Sequence, residues 1–382
     1  MLRLRSSILT HLAIPSSSAY PCSSLRRLLS ATAPPISPNP SSFAVEDYLV
    51  GTCGLTRPQA LKASAKLSHL RSPAKPDAVL AFLAGLGLSG ADAAAAVAKD
   101  PRLLCAKADK TLAPVVDGLT GLGLSRPEIA RLLSLAGSEF RCRSIISKLQ
   151  YLLPLFGSSE NLFRVLKSGS HLLCSDLERV VKPNIAFLQE CGLGACDIAK
   201  LCIPVSRVLV TNPEHVRMMV ACAERLGVPR GSRMFRHALQ AVAFLSKEKI
   251  AAKVEFMKNT FRWSDAEVSI ALSKAPVVLR RSKEHLQRTS NFLISEVGLE
   301  PAYIARLPAL ITYSLEGRLR PRHYAVKFLT ENGLLDHGRS YYVIFTMTEK
   351  VFVEKYICPH QEAAPHIAKY YAAACQEELP AH

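Results

Sequence analysis

Residues 82–104 read FLAGLGLSGADAAAAVAKDPRLL, and this stretch decides the fold. An apolar stripe with helical spacing leads up to the Gly87-Leu pair, and glycine suits the left-handed conformation that closes a helix. A second helix follows at once, and Pro101 stops it just before two leucines. The stretch therefore predicts two helices joined by a glycine turn and closed by a proline turn whose leucines lie in the core.

The glycine turn recurs along the chain. Gly-Leu or Gly-Val pairs begin at Gly54, Gly87, Gly123, Gly192, Gly227, Gly298 and Gly333. Two of the gaps between them are nearly twice the usual spacing of about 35 residues, and Phe156-Gly157 and Phe261-Arg262 occupy the missing positions. A fixed period of this length is typical of solenoids, in which each unit packs on its neighbours. We therefore predict an all-α solenoid, right- or left-handed, of about eight helix-pair units.

Local sequence supports this division of each unit. Three second helices begin with capping sequences, namely Thr56-Arg-Pro-Gln59, Ser125-Arg-Pro-Glu128 and Ser264-Asp-Ala-Glu267. In each of them the hydroxyl caps the first turn and the Gln or Glu side chain reaches back to the cap. Prolines followed by aliphatic residues, at Pro101, Pro276 and Pro308, close three units.

The charge of the chain is positive and unevenly distributed. The formal net charge is +17, and residues 200–356 hold 25 basic and 14 acidic residues, against 18 and 14 in residues 46–199. A basic half indicates a polyanionic partner such as nucleic acid, with general solubility as the alternative. Because no apolar run is long enough to cross a bilayer, we expect no membrane association.

The N-terminal segment has the composition of an organelle address. Residues 1–45 are rich in serine, contain four arginines and have no acidic residue before Glu46. These properties predict a transit peptide and linker, and the early arginines favour the mitochondrion, with the chloroplast as the alternative. The predicted organisation is therefore a transit peptide and linker over 1–45, a repeat domain over 46–356 and a C-terminal tail over 357–382.

Basic residues cluster beside prolines. They are Arg207 after Pro204, then Arg280, Arg281, Lys283 and Arg288 after Pro276, and Arg318, Arg320 and Arg322 around Pro321. A solenoid stacks equivalent positions in a row, so these eight residues are predicted to line one groove and to neutralise phosphates. A solvated face without a ligand is the alternative interpretation.

No pattern points to catalysis, a metal or a cofactor. The 11 cysteines are scattered, and Cys191, Cys196 and Cys202 form no Cys-x-x-Cys pair of the kind that zinc sites use. The letters of Gly85-Leu-Gly87-Leu-Ser-Gly90 match a dinucleotide-binding motif, but they follow a helix instead of a strand. We therefore expect no enzymatic activity, no catalytic residue, no bound metal and no cofactor.

Several of these segments resemble repeats of the mitochondrial transcription termination factor (mTERF) family. They are residues 82–104, FLQECGLGACDIAKLCIPVSRVLV (187–210), FLISEVGLEPAYIARLPALITYS (292–314) and IFTMTEKVFVEKYI (344–357). Residues 54–92 are similar to the large plant organellar branch of the family. The resemblance covers most of the chain, because the Gly-Leu turn and the proline turn recur together.

The resemblance implies a fold and a role. The fold is a curved superhelix of units, each with two α-helices and a short 3-10 turn, and it has a basic groove for nucleic acid. The implied role is regulation of organelle gene expression, such as transcription termination or RNA processing, through double-stranded DNA and possibly RNA, with the protein acting as a monomer. The alternative is a protein-interaction solenoid that serves as an organelle scaffold.

Overall fold

The computed structural model describes residues 43–376, except residues 337, 339, 363 and 365. The α-helices are α1 Val45–Gly51, α2 Arg57–Ser64, α3 Ala74–Gly85, α4 Gly90–Lys99, α5 Ala113–Gly121, α6 Arg126–Ala136, α7 Ser144–Phe156, α8 Ser159–Lys167, α9 His171–Cys174, α10 Lys182–Glu190, α11 Ala195–Cys202, α12 Pro213–Arg225, α13 Phe235–Val242, α14 Lys247–Phe261, α15 Asp265–Lys274, α16 Lys283–Ser290, α17 Pro301–Arg306, α18 Arg320–Glu331, α19 Tyr341–Thr346, α20 Glu349–Phe352 and α21 Ile367–Gln376. No strand occurs in this part of the chain. The predicted all-α repeat fold is confirmed, whereas the transit peptide predicted over 1–45 lies almost wholly outside the described residues.

Shorter helical turns complete the units. The 3-10 turns are Pro101–Cys105, Gly137–Arg141, Val208–Val210, Pro276–Arg280, Pro308–Thr312 and Cys358–His360. Single π-helical turns occur at Ala108–Leu112, Leu177–Val181, Asn291–Glu296, Leu315–Leu319 and Val353–Ile357. None of the described helices is both long enough and apolar enough to cross a membrane.

A residue with positive φ joins the two helices of every unit. These residues are Gly54, Gly87, Gly123, Gly157, Gly192, Gly227, Arg262, Gly298 and Gly333, at spacings of 33 to 36 residues. The two irregular positions predicted from the sequence, Gly157 and Arg262, take the same left-handed conformation as the others, with φ of 71° and 56°. The period is thus continuous. We number the units of the array from one to nine in the order of these turns.

The capping boxes and proline turns predicted from the sequence are present in the structure. Thr56, Ser125 and Ser264 each form the full capping box with the Gln or Glu three residues later. After the second helix, each predicted proline turn is a 3-10 turn with two buried aliphatic residues, which are Leu103 and Leu104, Val278 and Leu279, and Leu310 and Ile311. We call the segment between a second helix and the next first helix the closing turn of its unit.

Contacts between equivalent helices build the array. Second helices stack in order, with α2 on α4, α4 on α6, α6 on α8, α8 on α11, α11 on α13 and α15 on α17. First helices also touch, as α5 and α7, α10 and α12, and α14 and α16 do. The core is therefore a continuous apolar layer along the array, formed by residues such as Leu83, Leu149 and Phe261, which are fully buried.

The C-terminal end continues the helical pattern. The stretch 343–357 is helical despite its β-branched residues, since it contains the end of α19, all of α20 and the turn Val353–Ile357. Beyond it, α21 packs on α18. The division of the chain at residue 356 remains a prediction.

Arg262 gives a test of the turn geometry. An L residue in the left-handed region costs about 1 kcal/mol, and glycine avoids this cost at some expense in chain entropy. Arg262→Gly is therefore expected to raise the free energy of unfolding by about 0.5 kcal/mol. Gly123→Ala should lower it by about 1 kcal/mol, because a Cβ there meets no atom within 4 Å and only the backbone is strained. Urea unfolding followed by fluorescence of Trp263, the one tryptophan of the chain, measures both; equal stability of all three proteins would contradict this reasoning.

Candidate nucleic-acid interface

The closing turns lie side by side and form one surface of the array. Pro101–Cys105 contacts Gly137–Arg141, α9 contacts Val208–Val210, and Pro276–Arg280 contacts Pro308–Thr312. We call this surface the turn face. The stacking of equivalent turns predicted from the repeat is thus present in the structure, and a side chain at one closing turn has counterparts on its neighbours.

Polar side chains of the first helices hold the closing turns in place. Each is hydrogen-bonded to a backbone carbonyl in the closing turn of its own unit. The pairs are Lys148 with Leu173, Asn184 with Leu209, Lys253 with Arg281, and His285 with Ile311. The sequence separations are 25, 25, 28 and 26 residues, so the arrangement repeats with the unit. Since buried carbonyls without partners are costly, these bonds fix the backbone of the turn face.

Of the eight predicted residues, Arg207 and Arg280 are the two arginines whose whole guanidinium group is available to bind an anion. Both are exposed at the closing turns of their units. Within the described part of the chain, neither guanidinium has a hydrogen-bond or ion-pair partner. Exposed arginines without an acid beside them contribute their whole positive charge to an approaching anion.

Arg281 and Lys283 extend this pair of arginines. Arg281 is half-buried, and its Nη2 donates to the carbonyl of Thr312 in the next closing turn. Its Nε is buried and has no hydrogen-bond partner among the described residues. Lys283 is exposed, with its ammonium 5.2 Å from the ring centre of Phe256. Both residues therefore keep donors free near Arg280.

Arg288, Arg318 and Arg320 have neighbours that reduce their availability. Arg288 and Arg320 share Glu316, and Arg320 also pairs with Glu296 at 3.3 Å. The guanidinium of Arg318 lies 4.7 Å from the ring centre of Tyr313. Arg288 and Arg320 belong to first helices, because α16 begins at Lys283 and α18 at Arg320, whereas Arg318 lies near the end of a closing turn. The predicted equivalence of Arg288 and Arg320 with Arg207 and Arg280 is therefore wrong.

Arg322 is not on the surface at all. Its side chain is fully buried, and its Nη2 pairs with Glu349 at 2.7 Å. Its Nη1 donates to the carbonyls of Ile344, Phe345 and Met347. An arginine whose donors satisfy buried carbonyls is a structural element, so we leave Arg322 out of the interface that the sequence predicted.

Other basic residues of the turn face are not among the predicted eight. Arg102 is exposed in the closing turn after α4. Arg141 lies in the next closing turn and pairs with Asp100 at 3.0 Å. The rule that selects basic residues beside a closing proline would have found Arg102, whereas nothing in the sequence around Arg141 marks it, because its turn has no proline.

A pocket interrupts the turn face at the sixth unit. Only four residues, 243–246, join α13 to α14, whereas eight residues, 275–282, join α15 to α16. The shortened closing turn contains no 3-10 turn, and Phe244 takes a positive φ of 57°. A pocket of about 610 Å³ opens where the missing residues would lie, between the closing turns of the fifth and seventh units. We call this pocket the notch.

The notch concentrates positive charge. Arg207, Lys253, Arg280 and Arg281 line it, and among the described residues that line it none is an aspartate or a glutamate. Burial, together with the nearby charge of Lys283, holds the pKa of Lys253 below its ordinary value, and Glu284 opposes this shift. The arrangement suits an anion, since an incoming negative charge relieves the mutual repulsion of the cations.

Comparison with known proteins identifies the kind of array. The family model described as mTERF matches residues 56–353. The chain is 22% identical over 263 residues, which are 68% of this chain and 51% of the relative, to "Transcription termination factor MTERF8, chloroplastic" of Arabidopsis thaliana. It is 23% identical over 294 residues, which are 75% of this chain and 49% of the relative, to "Transcription termination factor MTEF18, mitochondrial" of the same plant. The chain thus spans about half the length of these curated relatives.

Proposed function

The chain belongs to the mTERF family, and from this premise we propose that it is a nucleic-acid-binding regulator of organelle gene expression. The observation that carries the proposal is the pair of exposed arginines, Arg207 and Arg280, which have no partner among the described residues and lie at a notch whose described lining includes no aspartate or glutamate. Phosphate neutralisation by such cations is the main source of sequence-independent affinity for nucleic acid.

The proposed partner is double-stranded DNA of the organelle, with RNA as a second possible polymer. The proposed contact set is Arg207, Arg280, Arg281 and Lys283, with Arg288, Arg318 and Arg320 at its border. The proposed role is transcription termination or a related control of expression, without catalysis and with the protein bound as a monomer. Both curated relatives carry the words transcription termination factor in their names, which supports this role.

The proposed location is the mitochondrion, with the chloroplast as the alternative. The relatives are named one for each organelle, so their names do not decide between the two. The basic, acid-free composition of residues 1–45 supports import. Fusing residues 1–45 to a fluorescent protein in plant cells tests the proposal: the fusion should enter mitochondria, and a diffuse cytosolic signal would contradict import.

Salt dependence tests the proposed activity. Fluorescence anisotropy with labelled 30-base-pair DNA, duplex RNA and single-stranded RNA should be measured between 50 and 300 mM KCl. If four cations contact phosphates of a DNA duplex, the logarithm of the association constant should fall against log salt with a slope of about −3.6. A flat dependence, or no binding to any of the three polymers at 50 mM, would contradict the proposal.

A protein-interaction scaffold is the second candidate function. The observation that favours it is an apolar groove of about 710 Å³ between α18 and α21, where Phe328 is 44% exposed and Tyr370 75% exposed. Large exposed apolar patches often mark protein contacts. A scaffold without a nucleic-acid role would show no salt-dependent binding in the anisotropy experiment.

A further inference from the structure

We propose that the notch is a phosphate-binding site, in which one phosphate group is held more deeply than any phosphate on the rest of the turn face. The proposal rests on the proposed function in one respect: in the working protein, the phosphate is taken to belong to the bound nucleic acid. Its chemistry is that of a phosphate group in general, so a free phosphate compound serves as a probe.

The origin of the notch lies in the length of one closing turn. Each neighbouring closing turn fills its place with buried aliphatic residues, such as Leu209 and Leu279. The four-residue turn 243–246 leaves this place empty, and Phe244 and Leu245 remain 45% and 37% exposed beside it. Only one unit has the short closing turn, so the notch is a single gap in the row of closing turns. The other closing turns carry their cations at the surface.

The donors around the notch are arranged for an anion. Arg207 and Arg280 are exposed and have no described partner, while Lys253 and Arg281 are half-buried. Arg281 also has a buried Nε without an acceptor among the described residues, and an unsatisfied buried donor costs about 1–3 kcal/mol.

Phosphate fits this environment better than a weaker anion. A guanidinium presents parallel N–H groups that match two oxygens of one phosphate, and the notch offers three guanidiniums. The walls include Ala241, Phe244 and Leu279, which keep water away from one side of the charges and strengthen their interaction. A recessed phosphate would fix the position of the strand along the turn face, which phosphate contacts at an open surface do less well.

The test adds a carboxylate to the notch with almost no change in shape. Gln240 lines the notch and donates to the carbonyl of Lys200 at 3.3 Å. Gln240→Glu places a negative charge among the cations, whereas Gln189→Glu makes the same change on an exposed position of α10, near its Gly192 turn. Arg207→Gln is the second notch variant, and because Arg207 is exposed, folding should not be affected.

Thermal unfolding followed by Trp263 fluorescence gives a readout that does not depend on nucleic acid. Inorganic pyrophosphate should raise the melting temperature of the wild type and of Gln189→Glu by about 2 °C or more over chloride of equal ionic strength, with saturation. The increase should be lost in Gln240→Glu and reduced in Arg207→Gln. Absence of a saturable increase in the wild type, or an equal increase in all four proteins, would overturn the proposal.

A second readout separates the notch from the proposed function. Duplex DNA binding should weaken roughly tenfold in Gln240→Glu and less than twofold in Gln189→Glu. If pyrophosphate stabilises only proteins with an intact notch but no protein binds duplex or RNA, the phosphate site stands and the proposed function fails. If duplex binding is normal and pyrophosphate has no specific effect, the proposed function stands and the notch proposal fails.

Discussion

Replacing Arg322 with methionine is expected to lower the free energy of unfolding by about 3–5 kcal/mol. The buried guanidinium donates to the carbonyls of Ile344 and Phe345 in α19 and of Met347 just after it, and it pairs with Glu349. It also lies 4.8 Å from the ring centre of Phe352. Methionine fills part of the space but leaves the buried carbonyls without donors, and the cost of such unsatisfied groups exceeds the gain from an apolar side chain.

Urea unfolding of the Arg322→Met protein, followed by circular dichroism, measures this effect. Arg318→Met is the matched control, since Arg318 lies four residues earlier and stacks on Tyr313 without a described acidic partner. Its loss should cost less than about 1 kcal/mol. Similar stability of the two variants would show that Arg322 does not join α18 to the C-terminal helices in the way the structure indicates.

The second large effect concerns the available arginines. We change Arg207 and Arg280 together to glutamine. The slope of the logarithm of the duplex association constant against log salt should then become less negative by about 1.8, because each lost phosphate contact contributes about 0.9. The affinity at 100 mM KCl should fall roughly 10- to 100-fold, for all sequences alike. Both residues are exposed and without described partners, so the stability of the fold should not change.

Arg57 and Arg126 provide the control for this pair. Each is the first residue of a second helix, directly after a glycine turn, and each is exposed. The Arg57→Gln and Arg126→Gln double variant removes the same charge from the opposite end of the unit. For this double variant, the slope of the logarithm of the duplex association constant against log salt should differ from that of the wild type by less than about 0.5. An equal loss in both double variants would mean that net charge, and not the turn face, determines binding.

The fold could be predicted from the sequence because its determinants are local. Glycine before Leu, a hydroxyl three residues before Glu, and proline before aliphatic residues each act within a few residues. The period places even Arg262 in a turn, although arginine seldom takes a positive φ. The period decided the conformation where the residue type did not.

The candidate site could be predicted only in part, because it depends on which way a side chain points. Arg320 and Arg322 both flank Pro321, yet one is at the surface beside Glu316 and the other is fully buried. Side chains two positions apart on a helix point in directions about 200° apart. Arg320 and Arg322 therefore lie on opposite sides of α18, although they look like one basic patch in the sequence. The notch cannot be predicted from the repeat for a different reason: one closing turn is shorter than its neighbours, and the unchanged length of the whole unit hides this.

Photo-crosslinking shows which surface of the protein touches nucleic acid, and the proposed surface is the turn face. Duplex DNA carrying 4-thiothymidine is irradiated with the protein, and the linked peptides are identified by mass spectrometry. We expect crosslinks in the closing turns of the fifth to seventh units and in the helix residues next to them, within residues 203–212, 243–253 and 275–283, and we expect these crosslinks to be lost in the Arg207→Gln and Arg280→Gln double variant. Crosslinks concentrated at the glycine turns, around Gly123, Gly192 or Gly298, would contradict it.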